Sequence, residues 1–210
     1  NVADDQIVVE EKGIYNIENF LSSRRLMYWQ VYLHKTSVSA ERLLVNLIKR
    51  AQVLSESGEH LAASDSLSFF LKHRCTIEDF GQPQVLDQFG KLDDHDVWVA
   101  IKMWQDLPDK ILSMLCKMLL HRQLFRIQMG NDPIEKKQVD TLRPLIATHY
   151  GLGRNDTSYL MSAGTVTNEA YMGESKAIRI LMKDGSVRDI AQASDLPNII
   201  AMSKIVKKNY

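Results

Sequence analysis

The stretch between Gly13 and Gly58 contains neither glycine nor proline. These two residues are the strongest helix breakers, so a stretch of this length without them favours long helices. Its apolar residues recur at the spacing of one helix face, namely Ile17, Phe20, Met27, Val31, Val38, Leu44, Leu47, Ile48 and Ala51. We therefore expect one long helix, or two nearly collinear helices, over residues 16–55, with this apolar stripe buried.

One side of the predicted helix carries cationic and phenolic residues. Arg24, Tyr28, Tyr32 and Lys35 have the spacing i, i+4, i+8, i+11, which places them on one face beside the apolar stripe. A charge-assisted hydrogen bond from Arg or Lys to a phosphate contributes about 1.5–3 kcal/mol once water is excluded. The row therefore indicates a site for an anionic ligand, and the alternative is a protein interface or a surface of extended cationic side chains.

The charge balance excludes several classes of function. The chain has 26 Lys and Arg residues and 26 Asp and Glu residues, so its net charge is zero. A protein that coats nucleic acid or anionic lipid carries a clear positive excess, so an anion site here must be local. The sequence has no apolar run long enough for a membrane span and no signal-peptide pattern, which predicts a soluble cytoplasmic protein. We expect Cys75 and Cys116 to be free, buried thiols.

The middle of the chain alternates helical patterns with turn signals. The predictions are a helix over 61–71, a loop with one short helical turn over 75–91, a helix capped by Asp93 or Asp94 that ends near Pro108, a helix over 111–119, a strand over 123–129, and a helix capped by Asn131 or Asp132 that ends at Gly151. The interior of this region is therefore expected to be built from helices.

The two ends of the chain have the pattern of strands. Residues 6–10 form a short apolar run, and from Tyr159 onward the apolar period changes to two. Ile178, Ile180 and Met182 alternate with Arg179, Leu181 and Lys183 before an Asp-Gly pair at 184–185, which predicts a β-hairpin. Lys204, Lys207 and Lys208 are expected in a solvated, frayed end. The fold class predicted is α+β, mainly α, with a small antiparallel β region near the C-terminus.

Two clusters of ionisable residues have alternative interpretations. His73, His95, Asp96 and Asp140 are a conceivable metal site, but the carboxylates at 93, 94 and 96 are also typical of a helix N-terminus. His121, Arg122 and Arg126 form a small basic group near a helix end. This group could bind phosphate or satisfy terminal carbonyls, and it stays unassigned.

Two motifs carry a resemblance to a known family. The first is Arg24-x-x-x-Tyr28-x-x-Val31-Tyr32-x-His34-Lys35, preceded by Ile17-Glu18-x-Phe20, and the second is Leu92-Asp93-Asp94-x-Asp96-Val97-Trp98. Together they resemble the C-terminal half of bacterial HD-domain phosphohydrolases similar to deoxynucleoside triphosphate triphosphohydrolases. That group includes the animal sterile-alpha-motif and HD-domain enzyme. The resemblance covers Ile7 to Arg126, and more weakly the C-terminal hairpin.

The resemblance implies roles for individual residues. Arg24 and Tyr32 match positions that contact the triphosphate and sugar, and Tyr28 stands where the animal enzyme has a catalytically important His. A tyrosine is a poor proton donor near neutral pH, so a hydrogen-bonding role is expected for Tyr28. His34 and Lys35 match residues near a nucleotide-binding oligomer interface. The metal ligands of such enzymes, a His, a His-Asp pair and a later Asp, lie upstream and are not recognisable here.

The resemblance also implies a division of the chain and a function. Residues 1–13 would be a strand and linker from a missing upstream HD domain, 14–130 a bundle-like helical region with the substrate-facing helix, and 131–210 a helix with a β-hairpin accessory region. The chain starts at Asn1 rather than Met, which we interpret as a fragment that lacks catalytic residues and metal ligands. The intact parent would bind a divalent metal and hydrolyse dNTP to nucleoside and triphosphate. Expected partners are the upstream HD domain, a nucleotide triphosphate and further copies in a homo-oligomer, with no membrane; the alternative is a non-catalytic helical oligomerisation or partner-binding module.

Overall fold

The glycine- and proline-free stretch is helical over most of its length, as its periodicity predicts. The computed structural model describes residues 1–3, 5–168, 177–196 and 206–210. Helix α1 covers Ile14–Met27, continues as a π-helical turn over Tyr28–Tyr32, and is followed by α2 over Lys35–Glu56. The helix is interrupted after the π turn, where Leu33 has φ −100° and ψ 13°. The structure thus has two helices here rather than one.

The remaining helices occupy the middle of the chain, with one short helix near its end. They are α3 Asp65–Lys72, α4 Pro83–Lys91, α5 Asp94–Trp104, α6 Lys110–Leu120, α7 Lys136–Tyr150 and α8 Ile190–Ala193, with 3-10 turns at Glu11–Gly13, Ile77–Gly81 and Asp156–Leu160. None of the helices among the described residues is both long enough and apolar enough to cross a membrane.

The strands are short and form small sheets. They are β1 Val2–Ala3, β2 Gln6–Ile7, β3 Val9–Glu10, β4 Thr165–Asn168, β5 Arg179–Leu181, β6 Val187–Asp189 and β7 Val206–Asn209. Pairs β1–β2, β4–β7 and β5–β6 are antiparallel, and β3 pairs with β5 in parallel. The predicted fold class, α+β and mainly α, is confirmed.

The chain forms two compact units, each assembled from segments distant in sequence. The first contains Asn1–Val38, Gln128–Ile134 and Ala163–Tyr210, and the second contains Ser39–Ile127 and Glu135–Ser162. The boundaries expected from the sequence, by contrast, divide the chain into consecutive ranges. Linear patterns do not reveal which distant segments pack together, so such a composition of units is visible only in the structure.

The first unit is organised around α1 and the β5–β6 hairpin. The predicted hairpin is confirmed, with Ile180 opposite Arg188 and the turn closed by Gly185 at φ 83°, a backbone conformation that glycine adopts without strain. The buried side chains of α1 and of this sheet region form one apolar cluster, consisting of Ile14, Leu21, Ile180 and Ile190. The buried Glu18 carboxylate accepts a hydrogen bond from the Ser194 hydroxyl, which satisfies part of its polar surface.

The second unit has an all-helical core. Helices α2, α5 and α6 contribute its fully buried residues, which include Leu43, Leu47, Ile101, Trp104, Leu112 and Leu115. The indole N–H of Trp104 donates to the Ala62 carbonyl at 2.8 Å, so even the polar edge of this ring has a partner. Cys116 also lies in this core, where burial raises the pKa of its thiol to about 12, whereas Cys75 is half-buried; both are free.

An ion pair links α2 to the start of α6. Arg50 Nε donates to Asp109 Oδ1 at 3.1 Å, and the same carboxylate accepts the Leu112 backbone N–H at 2.7 Å as the N-cap of α6. Burial raises the pKa of the Asp109 carboxyl, but the hydrogen bonds from Arg50 and Leu112 outweigh it and the pKa lies below its ordinary value. Asp109 therefore has two separable roles, as an ion-pair partner and as a helix cap.

Several predicted boundaries are wrong. The predicted loop over 75–91 is largely helical, because Thr76 and Asp79 form a capping box and Pro83 starts α4 at a position that needs no N–H. Residues 123–129 are not a strand. They follow α6 in an irregular segment that is held to α2 by a hydrogen bond from Ser39 Oγ to the Phe125 carbonyl, at 2.8 Å.

The C-terminal part of the chain needs two further corrections. Helix α7 starts at Lys136 rather than beside Asn131 or Asp132, although it ends at Gly151 as predicted. Lys207 and Lys208 belong to strand β7 and pair with β4, so they are not a frayed end. Lys204 lies outside the described residues.

Two substitutions separate the roles of Asp109. Asp109→Asn keeps an N-cap acceptor and removes the charge, and because the pair is partly solvated we expect a loss of about 1–2 kcal/mol at pH 7. Asp109→Ala also removes the cap and should cost about 1 kcal/mol more. Urea unfolding of both variants measures these free energies.

The same experiment in acid provides the control. A lowered folded-state pKa means that the charge of Asp109 stabilises the protein fully above the ordinary carboxyl pKa, and that this stabilisation is lost as the pH falls through the folded-state pKa. The gap between wild type and Asp109→Asn should therefore shrink as the pH falls below the ordinary pKa. A gap that is constant with pH, or equal losses for Asn and Ala at pH 7, would contradict this account.

Candidate functional site

Arg24, Tyr28 and Tyr32 form a continuous row of side chains, which we call the Arg–Tyr row. The Arg24 guanidinium donates to the Tyr28 hydroxyl at 3.2 Å and lies 5.0 Å from the centroid of that ring. The rings of Tyr28 and Tyr32 are 5.1 Å apart between centroids, with an interplanar angle of 47°. The structure therefore brings together the three residues that the sequence analysis singled out for phosphate and sugar binding.

The π-helical turn contains the two tyrosines of the row. The Leu33 N–H donates to the Tyr28 carbonyl at 2.7 Å, an i→i+5 hydrogen bond that inserts one extra residue into the turn. Such turns are rare and occur frequently at functional sites. Here the π turn begins at one tyrosine of the row and ends at the other. The sequence alone does not reveal this π-helical turn, because the same residues could also form an ordinary α-helical turn.

The surroundings of the row differ from the expectation. Phe20, Met27 and Val31 were predicted as a buried stripe, but their exposed fractions are 60%, 42% and 55%. The face of α1 that is buried instead carries Ile14, Glu18 and Leu21. Hydrophobicity alone predicted burial of the face with Phe20, Met27 and Val31. The hairpin instead packs against the face with Ile14 and Leu21.

The row is therefore accessible rather than enclosed. Arg24 and Tyr28 are half-buried, and Tyr32 is 55% exposed. On a helix, Arg24 lies between the direction of the buried stripe and that of the exposed apolar face, which we define as Phe20, Met27 and Val31. Arg24 thus lies on the side of the row that is nearer to this exposed apolar face.

A second cation–aromatic contact lies next to the row. The Lys208 ammonium sits 4.6 Å from the ring centroid of Trp29, the residue that follows Tyr28. Strand β7 holds Lys208 in place through its pairing with β4, where Lys208 lies opposite Val166. The sequence analysis missed this residue, because the local Lys-Lys sequence resembles a solvated tail.

His34 and Lys35 do not join the row. The Thr36 backbone N–H donates to Nδ1 of His34 at 3.3 Å, and the His34 carbonyl accepts the Val38 N–H at 3.0 Å. Among the described residues, neither side chain shares a hydrogen bond, ion pair or ring contact with the row. His34 instead acts as a cap at the start of α2. A nucleotide or interface contact of His34 and Lys35 stays a prediction.

The residues considered for a metal site make local structural contacts instead. His73 stacks on Phe69 and its Nδ1 lies 2.9 Å from the Phe69 carbonyl. Asp96 accepts the Asp93 N–H in a capping box, and Asp140 lies near Arg143. The structure therefore does not bring the four proposed ligands together.

A different trio does cluster at the start of α5. Within the described residues, the His and carboxylate groups found within 4.8 Å of one another are Asp93, Asp94 and His95, all exposed. The Asp93 carboxylate already accepts the backbone N–H groups of His95 and Asp96 as a helix cap. This cap does not fit the His and Asp set that the resemblance implies, so no chemical step is assigned to a metal in this chain.

Comparison with known proteins finds relatives of this chain. A family model described as the HD associated region matches residues 1–78. The uncharacterized protein YwfO of Bacillus subtilis (strain 168) is 29% identical over 206 residues, which are 94% of this chain and 45% of that protein. The matched family region includes the whole Arg–Tyr row.

Two solved structures resemble this chain. A phosphohydrolase from Bacteroides thetaiotaomicron VPI-5482 is 42% identical, with a TM-score of 0.89, and the match covers 99% of this chain and 52% of that one. A hypothetical protein from Aquifex aeolicus is 20% identical, with a TM-score of 0.50 over 99% of this chain and 44% of that one, which indicates a likeness of fold alone.

These findings support an HD-domain-related protein, because the HD associated region matches residues 1–78 and the solved structure with 42% identity is described as a phosphohydrolase. The chain spans about half the length of the relatives that it matches.

The role of His34 as a cap can be tested by substitution. His34→Ala removes the acceptor for the Thr36 N–H, and the expected loss is about 0.5–1 kcal/mol, at the low end of capping effects because the site is exposed. His34→Asn should retain most of the stability, since asparagine is a preferred N-cap residue. The measurement is urea unfolding; a loss that is the same for Ala and Asn would rule out the capping role.

Proposed function

We propose that this chain supplies the phosphate-binding wall of the nucleotide site in an HD-type, metal-dependent nucleotide phosphohydrolase. The proposed reaction of the whole protein is hydrolysis of a dNTP to nucleoside and triphosphate. Water would attack the α-phosphorus, the bond to the 5′-oxygen would break, and that oxygen would leave with a proton as the nucleoside hydroxyl. We assign no catalytic residue to this chain.

The observation that carries the proposal is the contact between Arg24 and Tyr28. The Tyr28 hydroxyl accepts one guanidinium N–H, which holds the guanidinium at the row while its other donors stay available for an anion. Tyr28 and Tyr32 add two phenol hydroxyls on the same side of the helix. A guanidinium that is pre-oriented in this way loses less side-chain entropy when it binds a phosphate.

The comparisons support the proposal at a coarser level. The structural neighbour with 42% identity is described as a phosphohydrolase, and the HD associated region that matches this chain includes Arg24, Tyr28 and Tyr32. A triphosphate carries several negative charges at neutral pH, which suits a cationic and hydroxyl-bearing surface. The divalent metal and its ligands would belong to an upstream HD domain, so the chain alone is expected to bind nucleotide without hydrolysing it.

The alternative is a non-catalytic module that binds a partner helix or a second copy of the chain. The observation in its favour is the exposed apolar face of α1 and the π-helical turn, where Phe20 is 60% exposed and Val31 is 55% exposed. Apolar surface of this kind next to Arg and Tyr is typical of protein interfaces. The two proposals are compatible if the upstream HD domain, or another protomer of a homo-oligomer, covers this face beside the bound nucleotide.

Nucleotide binding by the row predicts a specific loss in one variant. Wild-type protein should be stabilised against thermal unfolding by dATP but not by deoxyadenosine, because the phosphates carry the interaction. Arg24→Ala should weaken dATP binding about 10- to 100-fold, which corresponds to one charge-assisted hydrogen-bonded contact. Thermal shift over a range of dATP concentrations, supported by calorimetry, measures both effects.

Arg25→Ala is the matched control, since it removes the same charge from the next residue of α1, about 100° around the helix. This variant should bind dATP as wild type does. Equal binding by wild type and Arg24→Ala would overturn the phosphate role of the row. The interface alternative would be favoured by a different pattern. In that case Val31→Ser loses self-association or HD-domain binding, while dATP binding is unchanged in all the variants.

A further inference from the structure

The second unit contains a pocket between α5 and α6 that the proposed function does not use. Its volume is about 400 Å³, and its lining includes Trp98 and Lys102 of α5 together with Leu119, Arg122 and Leu124 at and after the end of α6. We call it the α5–α6 pocket. A volume of this size suits a small organic molecule.

The walls of this pocket are apolar and anchored in the core. Leu119, Leu120 and Leu124 all pack against the buried core of the second unit while they line the pocket. Trp98 contributes an aromatic wall and is 44% exposed. The segment after α6 is fixed by the hydrogen bond from Ser39 Oγ to the Phe125 carbonyl. The pocket is therefore built on rigid elements.

Two exposed cationic residues, Lys102 and Arg122, line this apolar pocket. Among the residues that the structure describes, neither the Lys102 ammonium nor the Arg122 guanidinium takes part in an ion pair or a side-chain hydrogen bond. By contrast, Lys117 on the same helix pair is bound to Asp106 at 3.3 Å. Two unpaired cations beside apolar walls attract an anion that has an apolar body.

Arg122 occupies a backbone position that normally favours glycine. Its φ is 57°, and it closes α6 with hydrogen bonds from the Arg122 N–H to the Leu119 carbonyl and from the Gln123 N–H to the Met118 carbonyl. Glycine is the common residue at this point of a helix end, because a Cβ is strained there. The sequence therefore places a long cationic residue at a strained position, and this residue is one of those that line the pocket.

We propose that the α5–α6 pocket binds a small carboxylate with an aliphatic chain. The chain lies against the leucines and Trp98, and the carboxylate lies between Lys102 and Arg122. The aliphatic walls favour a saturated chain, and the guanidinium suits the planar, two-oxygen geometry of a carboxylate. All residues of the pocket belong to the second unit, and the inference does not depend on the Arg–Tyr row.

The test uses the whole chain labelled with 5-fluorotryptophan, decanoate as the probe and ¹⁹F NMR as the readout. The protein has three tryptophans, and Trp98→Phe assigns the signal of the pocket. Decanoate, kept below its micelle-forming concentration, should shift the Trp98 signal saturably and leave the Trp29 and Trp104 signals in place. Decanol, which lacks the charge, should bind at least about tenfold more weakly.

Arg122→Gly gives the sharpest variant, because the two expected effects have opposite signs. Glycine relieves the strained φ, so the melting temperature should rise, while the loss of the guanidinium should weaken decanoate binding about tenfold or more. Lys102→Gln should also weaken binding. Lys117→Gln is the matched control, since this lysine is already paired with Asp106, and it should bind decanoate as wild type does.

Three results would overturn the proposal. The first is a Trp98 signal that does not respond to decanoate, including the case where it responds to an acidic peptide instead. The second is equal binding of decanoate and decanol. The third is undiminished decanoate binding in an Arg122→Gly protein whose melting temperature has risen, because that protein is folded and lacks only the proposed contact.

Discussion

The packing of α1 against the β5–β6 hairpin determines what the first unit can present to a ligand. Ile14 and Leu21 of the helix share one apolar cluster with Ile180 and Ile190. Burial of these aliphatic side chains is the main favourable term in this contact. Once this face is buried, the helix can no longer turn its other faces inward. The Arg–Tyr row and the exposed apolar face therefore stay accessible on the same helix.

The position of Glu18 strengthens this constraint. Its side chain is buried in the middle of the packed face, and its carboxylate accepts a hydrogen bond from the Ser194 hydroxyl. A buried carboxylate is costly unless it has hydrogen-bond partners, so a rotation or a register shift of α1 would carry an additional penalty. The apolar content of the buried face does not by itself distinguish it from the exposed apolar face. The Glu18–Ser194 contact therefore helps to specify which face of α1 is buried.

Local features of the fold could be predicted from the sequence, and features that depend on distant contacts could not. The Asp-Gly turn with alternating apolar residues defines the β5–β6 hairpin within a few residues, and the i, i+4, i+8 spacing defines the Arg–Tyr row. The burial of Ile14 rather than Phe20 depends on a hairpin more than 160 residues away in sequence. The parallel pairing of β3 with β5 is hidden for the same reason. The cation–aromatic contact of Lys208 with Trp29 likewise requires β7 to be in place.

The central claim is that the Arg–Tyr row binds the phosphates of a nucleotide, and the most direct measurement observes the tyrosine rings themselves. The protein would be labelled with ¹³C in its tyrosine rings, and NMR spectra would be recorded during a titration with dATP. Our account predicts that the signals of Tyr28 and Tyr32, assigned with Phe variants, shift together and saturably with dATP and stay unchanged with deoxyadenosine. Unchanged Tyr28 and Tyr32 signals at high dATP concentration, or a response confined to Tyr159 in the other unit, would contradict it.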